Sequence, residues 1–269
     1  RAQWLSKARP DQVTPPGNWP IWLALAGRGW GKTRTGAEDV AWFACANPGA
    51  RVAIVAPTAL DVRNTCIEGE SGLLSVLPKA CVETYNRSVG MCELVLWNGS
   101  RFTGYSASEP ERLRGPQHHR AWCDEVAAWP EPDTWNQLMF GMRLGEHPQI
   151  VATTTPKPTP LIRSILKIPG AMVTRGSTFD NSANLPATTL ARLRERYEGT
   201  RLGRQELFAE LLEDVQGALW TAAQIDQHRV RGAPDLTRIV VAVDPSGTAG
   251  DNGGDDIGIM VAGKGVDGR

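Results

Sequence analysis

The chain is predicted to be an α/β protein: a parallel sheet covered by helices, with an antiparallel β-addition at one edge, a small helical segment, and the start of a second α/β unit. Three features carry that prediction. Short apolar runs that lead into polar or Gly/Pro-rich turns alternate with stretches of helical periodicity, the pattern of strands buried on both faces. One central stretch alternates apolar and polar residues about an Asn-Gly pair, a strong hairpin signal. A Gly-rich turn ending in Gly-Lys-Thr follows the first apolar run and opens a helix.

Taken in order, IWLALAG (21–27), RVAIVAP (51–57), RAWCDE (120–125) and QIVATTTP (149–156) are the buried strands. Helices are expected over 33–46, over 58–68 with Asp61 and Arg63 outward, and over 132–143, where Trp135, Leu138, Met139 and Met142 form one stripe. Residues 82–107, with Asn98-Gly99 in CELVLWNGSRFTGYSA, are the edge addition. From about 176 the composition shifts to TLARLRERYEGTRLGRQELFAELLEDV, whose Leu and Phe recur at 3–4 spacing. RIVVAVDPSGTAGDNGGDDIGIMVAG then supplies two strands around a Gly/Asp-rich turn. The expected division is 1–175 for the first domain, 176–235 for a helical linker and 236–269 for the beginning of another domain.

A chain of 269 residues with 41% apolar content has room for one large core and a smaller companion. Lys plus Arg and Asp plus Glu are both 29, so contact with a nucleic acid must come from local basic patches rather than net field. Five cysteines, odd in number and without a C-x-x-C pair, argue against a disulfide framework and a zinc ribbon and point to a reducing cytosol. The longest apolar runs fall far short of the roughly 20 residues that span a bilayer. A secretory n-region or cleavage signal is not expected before them. Opening at Arg1 and stopping at Arg269 just after an apolar run, the sequence is expected to be a piece of a longer chain.

The stretch LALAGRGWGKTRTGAEDV (23–40) matches a phosphate loop except that Ala26 stands where the first glycine belongs. In such a loop, backbone N–H groups and a helix N-terminus cradle phosphates. Lys32 would reach the β- and γ-oxygens, and the Thr33 hydroxyl would bind Mg²⁺. Gly27, Gly29 and Gly31 supply permissive backbone positions. The N–H groups of 27–33 are expected to do most of the cradling, so Ala26 costs little. A chance Gly-rich turn is the plainer alternative, and the strand–loop–helix context speaks against it.

At the end of RAWCDE, Asp124 is expected to hold Mg²⁺ and Glu125 to orient and deprotonate the attacking water, a pairing that favours hydrolysis over binding alone. Thr153, Thr154 and Thr155 reach the γ-phosphate if the sheet order is of the RecA type. Arg112 or Arg114 could serve a neighbouring subunit as an arginine finger; a surface ion pair is the competing reading. His118 and His119 are expected to be structural.

Five stretches in order carry a resemblance: RPDQVTPPGNWPIWLALAGRGWGKTRTGAEDVAW, APTALDVRNTCIEGESGLL, SASEPERLRGPQHHRAWCDEVAAW, TTTPKPTPL and RYEGTRLGRQELFAELLEDVQGALW. From about Arg9 to the C-terminus they resemble the large terminase subunit of tailed phages, most closely the type found in gene transfer agents and related prophages. The resemblance implies a RecA-type P-loop ATPase that uses ATP and Mg²⁺. Acting as a homo-oligomeric ring with a small terminase subunit, it would thread double-stranded DNA through a portal protein into a procapsid, in the cytoplasm of a bacterial host and away from any membrane. It also implies a ribonuclease-H-like nuclease with Mg²⁺ or Mn²⁺, beginning at 236–269.

By position the resemblance makes Arg28 a contact to the γ-phosphate, Gln12 the adenine-reading glutamine, and Trp30 a loop member. It makes Thr153–Thr155 a coupling motif with Thr154 against the nucleotide. Arg114 becomes the trans-acting arginine because it precedes the Gly of LRG, and Asp244 in VAVDPSG the first nuclease acid. Asp251, Asp255 and Asp256 are expected to be peripheral, and the remaining acids to lie beyond 269, so no competent nuclease is expected here. A helicase-like or partitioning ATPase is the alternative within P-loop proteins, although 157–269 leaves no room for a second RecA-type domain. A nucleotide-controlled assembly module is the alternative outside enzymes, and Glu125 argues against it. RLRERYEGTRLGR (192–204) is the candidate DNA surface, against the reading of a solvated helix face.

Overall fold

Six consecutive residues, Ile21–Ala26, are all buried and form β1, a strand covered on both faces. In the computed structural model, which describes residues 1–88, 91–212, 219–220, 222–228, 230, 232, 235–244 and 258–266, this strand lies near one edge of an eight-stranded sheet. A short helical turn, α1 (Ala2–Leu5), precedes it, and α2 (Lys32–Ala46) follows. Next come β2 (Arg51–Ala56), α3 (Ala59–Asp61) running into a π-helical turn at Val62–Ile67, and α4 (Leu73–Val76). β3 (Val82–Ser88), β4 (Met91–Leu96) and β5 (Arg101–Ser106) are the edge addition, and β4 and β5 turn about Asn98-Gly99 as expected. β6 (Arg120–Cys123), α5 (Asp133–Gly141), β7 (Gln149–Thr154), α6 (Pro160–Leu166) and β8 (Met172–Gly176) complete the sheet layer.

The sheet order is β3-β4-β5-β2-β6-β7-β1-β8. β3, β4 and β5 pair antiparallel, while every pairing from β5 to β8 is parallel. Because β7 lies between β1 and β6, the threonine-rich strand end separates the glycine loop from the acidic pair. Alternate residues of each strand feed two cores. Ile21, Leu23 and Leu25 pack with Trp135, Leu138, Ile162 and Ile165 of α5 and α6, whereas Val52, Ile54 and Trp122 pack with Val40 and Ala44 of α2 and with Val62 and Leu73.

Two contacts fix α2 on the sheet. Gly36 lies flat on Trp122, where an added Cβ would come within 2.3 Å of the indole Nε1. Buried Asp39 takes both arms of Arg120, at 2.9 and 2.8 Å, and accepts from the Thr14 hydroxyl at 2.7 Å. The Arg120 guanidinium is sandwiched 4.9 Å from both the Trp19 and the Phe43 rings.

After β8 the chain runs through a 3₁₀ segment (Thr178–Asn184), α7 (Ala187–Tyr197) and α8 (Arg201–Glu206). These belong to the first of two compact units, Arg1–Glu213. The second unit, Asp214–Arg269, holds α9 (Ala222–Gln227) and an antiparallel pair, β9 (Leu236–Asp244) and β10 (Gly258–Gly265). Asp244 closes β9 opposite Gly258, and Asp251, Asp255 and Asp256 lie outside the described residues.

Candidate active site

The loop between β1 and α2 explains its own deviation. Ala26 is the last β1 residue, paired with Gly176 in extended backbone that any residue adopts, and its carbonyl accepts from Lys32 Nζ at 3.0 Å. The glycines that matter come later. Gly29 and Gly31 have φ of +75° and +102°, the left-handed region that favours glycine. At Gly27 a Cβ would lie 2.6 Å from the Leu207 carbonyl and 2.8 Å from Thr178 Oγ1. α2 starts at Lys32, so its first, unpaired N–H groups face the space above β1.

The structure narrows one expectation. The amides of Gly27, Arg28 and Trp30 donate to Gly176 O, Glu206 O and Gly27 O, so they are engaged within the protein. Amides at the α2 N-terminus, from Gly31 onward, are left as the cradle. The Trp30 side chain is buried against Gly176, where a Cβ would come within 1.9 Å of its indole Nε1. Trp30 thus contributes an anchor that holds the loop tip to β8.

Lys32 is 8% exposed, and its ammonium donates to Ala26 O, to Gly27 O at 3.3 Å and to Thr155 Oγ1 at 3.1 Å. Burial lowers its pKa, opposed by Glu125, 3.6 Å away, and by Asp124. Asp124 follows β6 directly and is buried. Its carboxyl is pushed up to about 6 by loss of solvent, while the Thr153 hydroxyl, donating at 2.6 Å, pulls it back. Glu125 adopts a left-handed backbone, φ 46° and ψ 50°, which is uncommon for a non-glycine residue and clusters at functional sites. Its carboxylate accepts from the Thr155 amide at 3.3 Å and from the Thr154 and Thr155 hydroxyls, both at 3.4 Å.

Lys32, Thr33, Asp124, Glu125, Arg28 and Thr155 line one cavity of about 840 Å³. Its chemistry fits a magnesium ion with a polyphosphate. Mg²⁺ takes hard oxygens, usually one or two carboxylates plus phosphates and water. Among the described residues there is no group of three or more His, Cys, Asp or Glu that could hold a metal by itself. Thr33 and Asp124 are oxygen donors beside the loop, with Glu125 and Thr155 in the same lining, and the raised Asp124 carboxyl is an acid that a cation would stabilise in its charged form.

Other expected residues are placed differently. Gln12 is buried behind the loop, donating to Trp30 O at 3.4 Å and Thr35 Oγ1 at 3.3 Å. Thr154 is buried and does not line the cavity; its neighbour Thr155 does. Arg28 reaches Glu206 at 2.8 Å. Arg114 is exposed and pairs with Glu111 at 3.1 Å, and Arg112 pairs with Glu109 and lines a separate cavity. His118 is buried and packs edge-on against Tyr105, a structural position as expected.

Three further residues meet the loop, and the sequence pattern assigns them no role there. Arg9, Asn181 and Glu206 reach it from positions remote in sequence, so local pattern carries no signal for them.

The family described as terminase large subunit, T4likevirus-type, N-terminal, matches residues 23–227. No curated protein matches the chain. Among solved structures, the large terminase ATPase domain of Thermus phage P74-26 is 21% identical, with a TM-score of 0.54 over 77% of this chain and 94% of that one. The large terminase of another phage, a thermophilic bacteriophage, is 16% identical, with a TM-score of 0.60 over 90% of this chain and 59% of that one. The same thermophilic-bacteriophage protein in complex with ATP-γ-S gives 16% and 0.57 over the same shares. At these identities the likeness is one of fold, and the chain spans 59% of the second of these proteins.

Proposed function

The chain belongs to the family of T4-like phage large terminase subunits, and from that membership we propose that it is an ATP-hydrolysing motor subunit that drives double-stranded DNA into a procapsid. The observation that carries this reading is the convergence of Lys32, Thr33, Asp124 and Glu125 on one cavity, with Glu125 held in a left-handed backbone beside the buried Asp124.

In this reading the amides from Gly31 onward bind the phosphates. Lys32 turns from the carbonyls of Ala26 and Gly27 to the β- and γ-oxygens. Thr33 and Asp124 would hold Mg²⁺, which when bound neutralises developing phosphate charge. Glu125 Oε1 or Oε2 accepts the proton of the attacking water, and Thr154 and Thr155 hold that carboxylate in place until then. Arg28 exchanges Glu206 for the γ-phosphate. Gln12 is the adenine-reading glutamine by its place in the family, and without nucleotide its amide donates to Trp30 O and Thr35 Oγ1. Arg114 leaves Glu111 to act on a neighbour's nucleotide, which fits its exposed place away from its own cavity.

The rest of the packaging machine enters by family. We propose portal protein, procapsid and small terminase subunit as partners, a homo-oligomeric ring on the portal, and the bacterial host cytoplasm as the place of action. Residues 1–175 are the ATPase, 176–235 the helical linker and 236–269 the opening of a ribonuclease-H-like nuclease in which Asp244 is the first metal acid. DNA cleavage is expected of a longer chain.

Steady-state ATP hydrolysis with and without double-stranded DNA tests the reading. Turnover should rise with DNA and vanish in Lys32→Ala. Equal turnover in wild type and Lys32→Ala would place the chemistry elsewhere.

A further inference from the structure

A cradle built from peptide N–H groups needs the carbonyls of those peptides turned the other way, because each peptide is a rigid plane. With Gly29 and Gly31 in the loop, both permissive in φ, the loop does not lock this orientation by itself. Its carbonyl side is held from outside. Gly29 O accepts from Asn181 Nδ2 at 2.7 Å, and Trp30 O accepts from Arg9 Nη2 and from Gln12 Nε2. Arg9 Nη1 donates to Asn181 Oδ1 at 2.8 Å, joining the two supports, and the guanidinium lies 5.1 Å from the Trp30 ring centre. Holding Trp30 O fixes the opposite direction for the Gly31 N–H, the first amide of the cradle.

We propose that Arg9 and Asn181 are positioning residues for phosphate binding: Arg9 pins Trp30 O so that the Gly31 amide faces the nucleotide, and Asn181 keeps that arginine in place by accepting from it while holding Gly29 O, whose peptide's own N–H, that of Trp30, stays on Gly27 O. The inference rests on the loop being the nucleotide site. Asn181 sits at a kink in the 3₁₀ segment, φ −103° and ψ 18°, where the turn aims its amide at the loop. Arg9 carries both bonds through one planar fork, which lysine cannot reproduce.

The test is titration of the 269-residue chain with a fluorescent ATP analogue in Mg²⁺, and its competition by inorganic tripolyphosphate, for wild type, Asn181→Leu, Arg9→Lys and Lys32→Ala, with thermal melting of each without ligand. Asn181→Leu and Arg9→Lys should each weaken both ligands about fivefold, the size of one lost hydrogen bond. Melting should change little, since Asn181 is only half-buried. Asn181→Asp keeps the partner of Arg9 but turns an acceptor toward Gly29 O, and should lose more affinity than Asn181→Leu.

Wild-type affinity in the Asn181 and Arg9 variants, with binding abolished in Lys32→Ala, overturns the inference and leaves the nucleotide site standing. Weaker analogue binding with unchanged tripolyphosphate competition overturns it too, because the supports then act elsewhere than at the phosphates. Absence of binding in wild type, or full binding in Lys32→Ala, overturns the underlying reading with it.

Discussion

Asp124, Lys32 and Glu125 are each held in a state that water would not favour: a buried carboxyl, a buried ammonium and a left-handed glutamate. They were legible in the sequence because phosphate loops and strand-end acids are local patterns. Arg9, Asn181 and Glu206 were not, because a side chain that reaches the loop from a distant part of the chain leaves no spacing to read. His118 is a residue whose burial has a measurable consequence of its own. Loss of solvent, with Arg51 and His119 nearby, lowers its pKa to about 4, and its Nε2 is buried without a hydrogen bond. The folded value lies below that of the free side chain, so its share of stability is complete above about pH 6.5 and is lost as pH falls toward 4. Between about pH 7 and pH 4.5 that loss is about 2–3 kcal/mol. Denaturant melts at the two pH values should show a smaller acid loss in His118→Gln than in wild type, and equal losses would contradict the assignment.

Among the elements, α2 decides whether the site exists, since it carries Lys32 and Thr33 and is fixed at Gly36 and Asp39. Asp39→Ala leaves Arg120 buried without its charge partner and should cost about 3–5 kcal/mol in equilibrium unfolding. A loss below about 1 kcal/mol would mean that the pair is dispensable. Gly36→Ala drives a methyl into Trp122 and should cost about 1–3 kcal/mol. It should also weaken ATP binding, because α2 must move off the sheet; unchanged melting and affinity would show that the contact yields freely. The strands β1, β2, β6 and β7 were legible because each is built on a short apolar run that leads into a polar or Gly/Pro-rich turn. β8 was not: it is an edge strand of the sequence MVTRG with a largely exposed surface, and only its pairing with β1 defines it. The separation of β1 from β6 by β7 is likewise a fact of topology, which no single strand encodes.

For the molecule as a whole, equal numbers of acidic and basic side chains mean that DNA, the proposed cargo, would be met by a local surface. α7 offers Arg192 and Arg196 on an exposed face, whereas Arg194 lies over the Phe179 ring at 4.6 Å. If those two arginines meet phosphates, reversing both should flatten the dependence of log affinity on log salt by about 1.8. An unchanged slope would move the DNA surface elsewhere. Hydrolysis of ATP with Glu125 as base is tested by measuring nucleotide affinity and turnover together in Glu125→Gln. Affinity within about twofold of wild type, with turnover reduced about 10²- to 10⁴-fold, is the predicted result. Turnover equal to wild type in Glu125→Gln would contradict it.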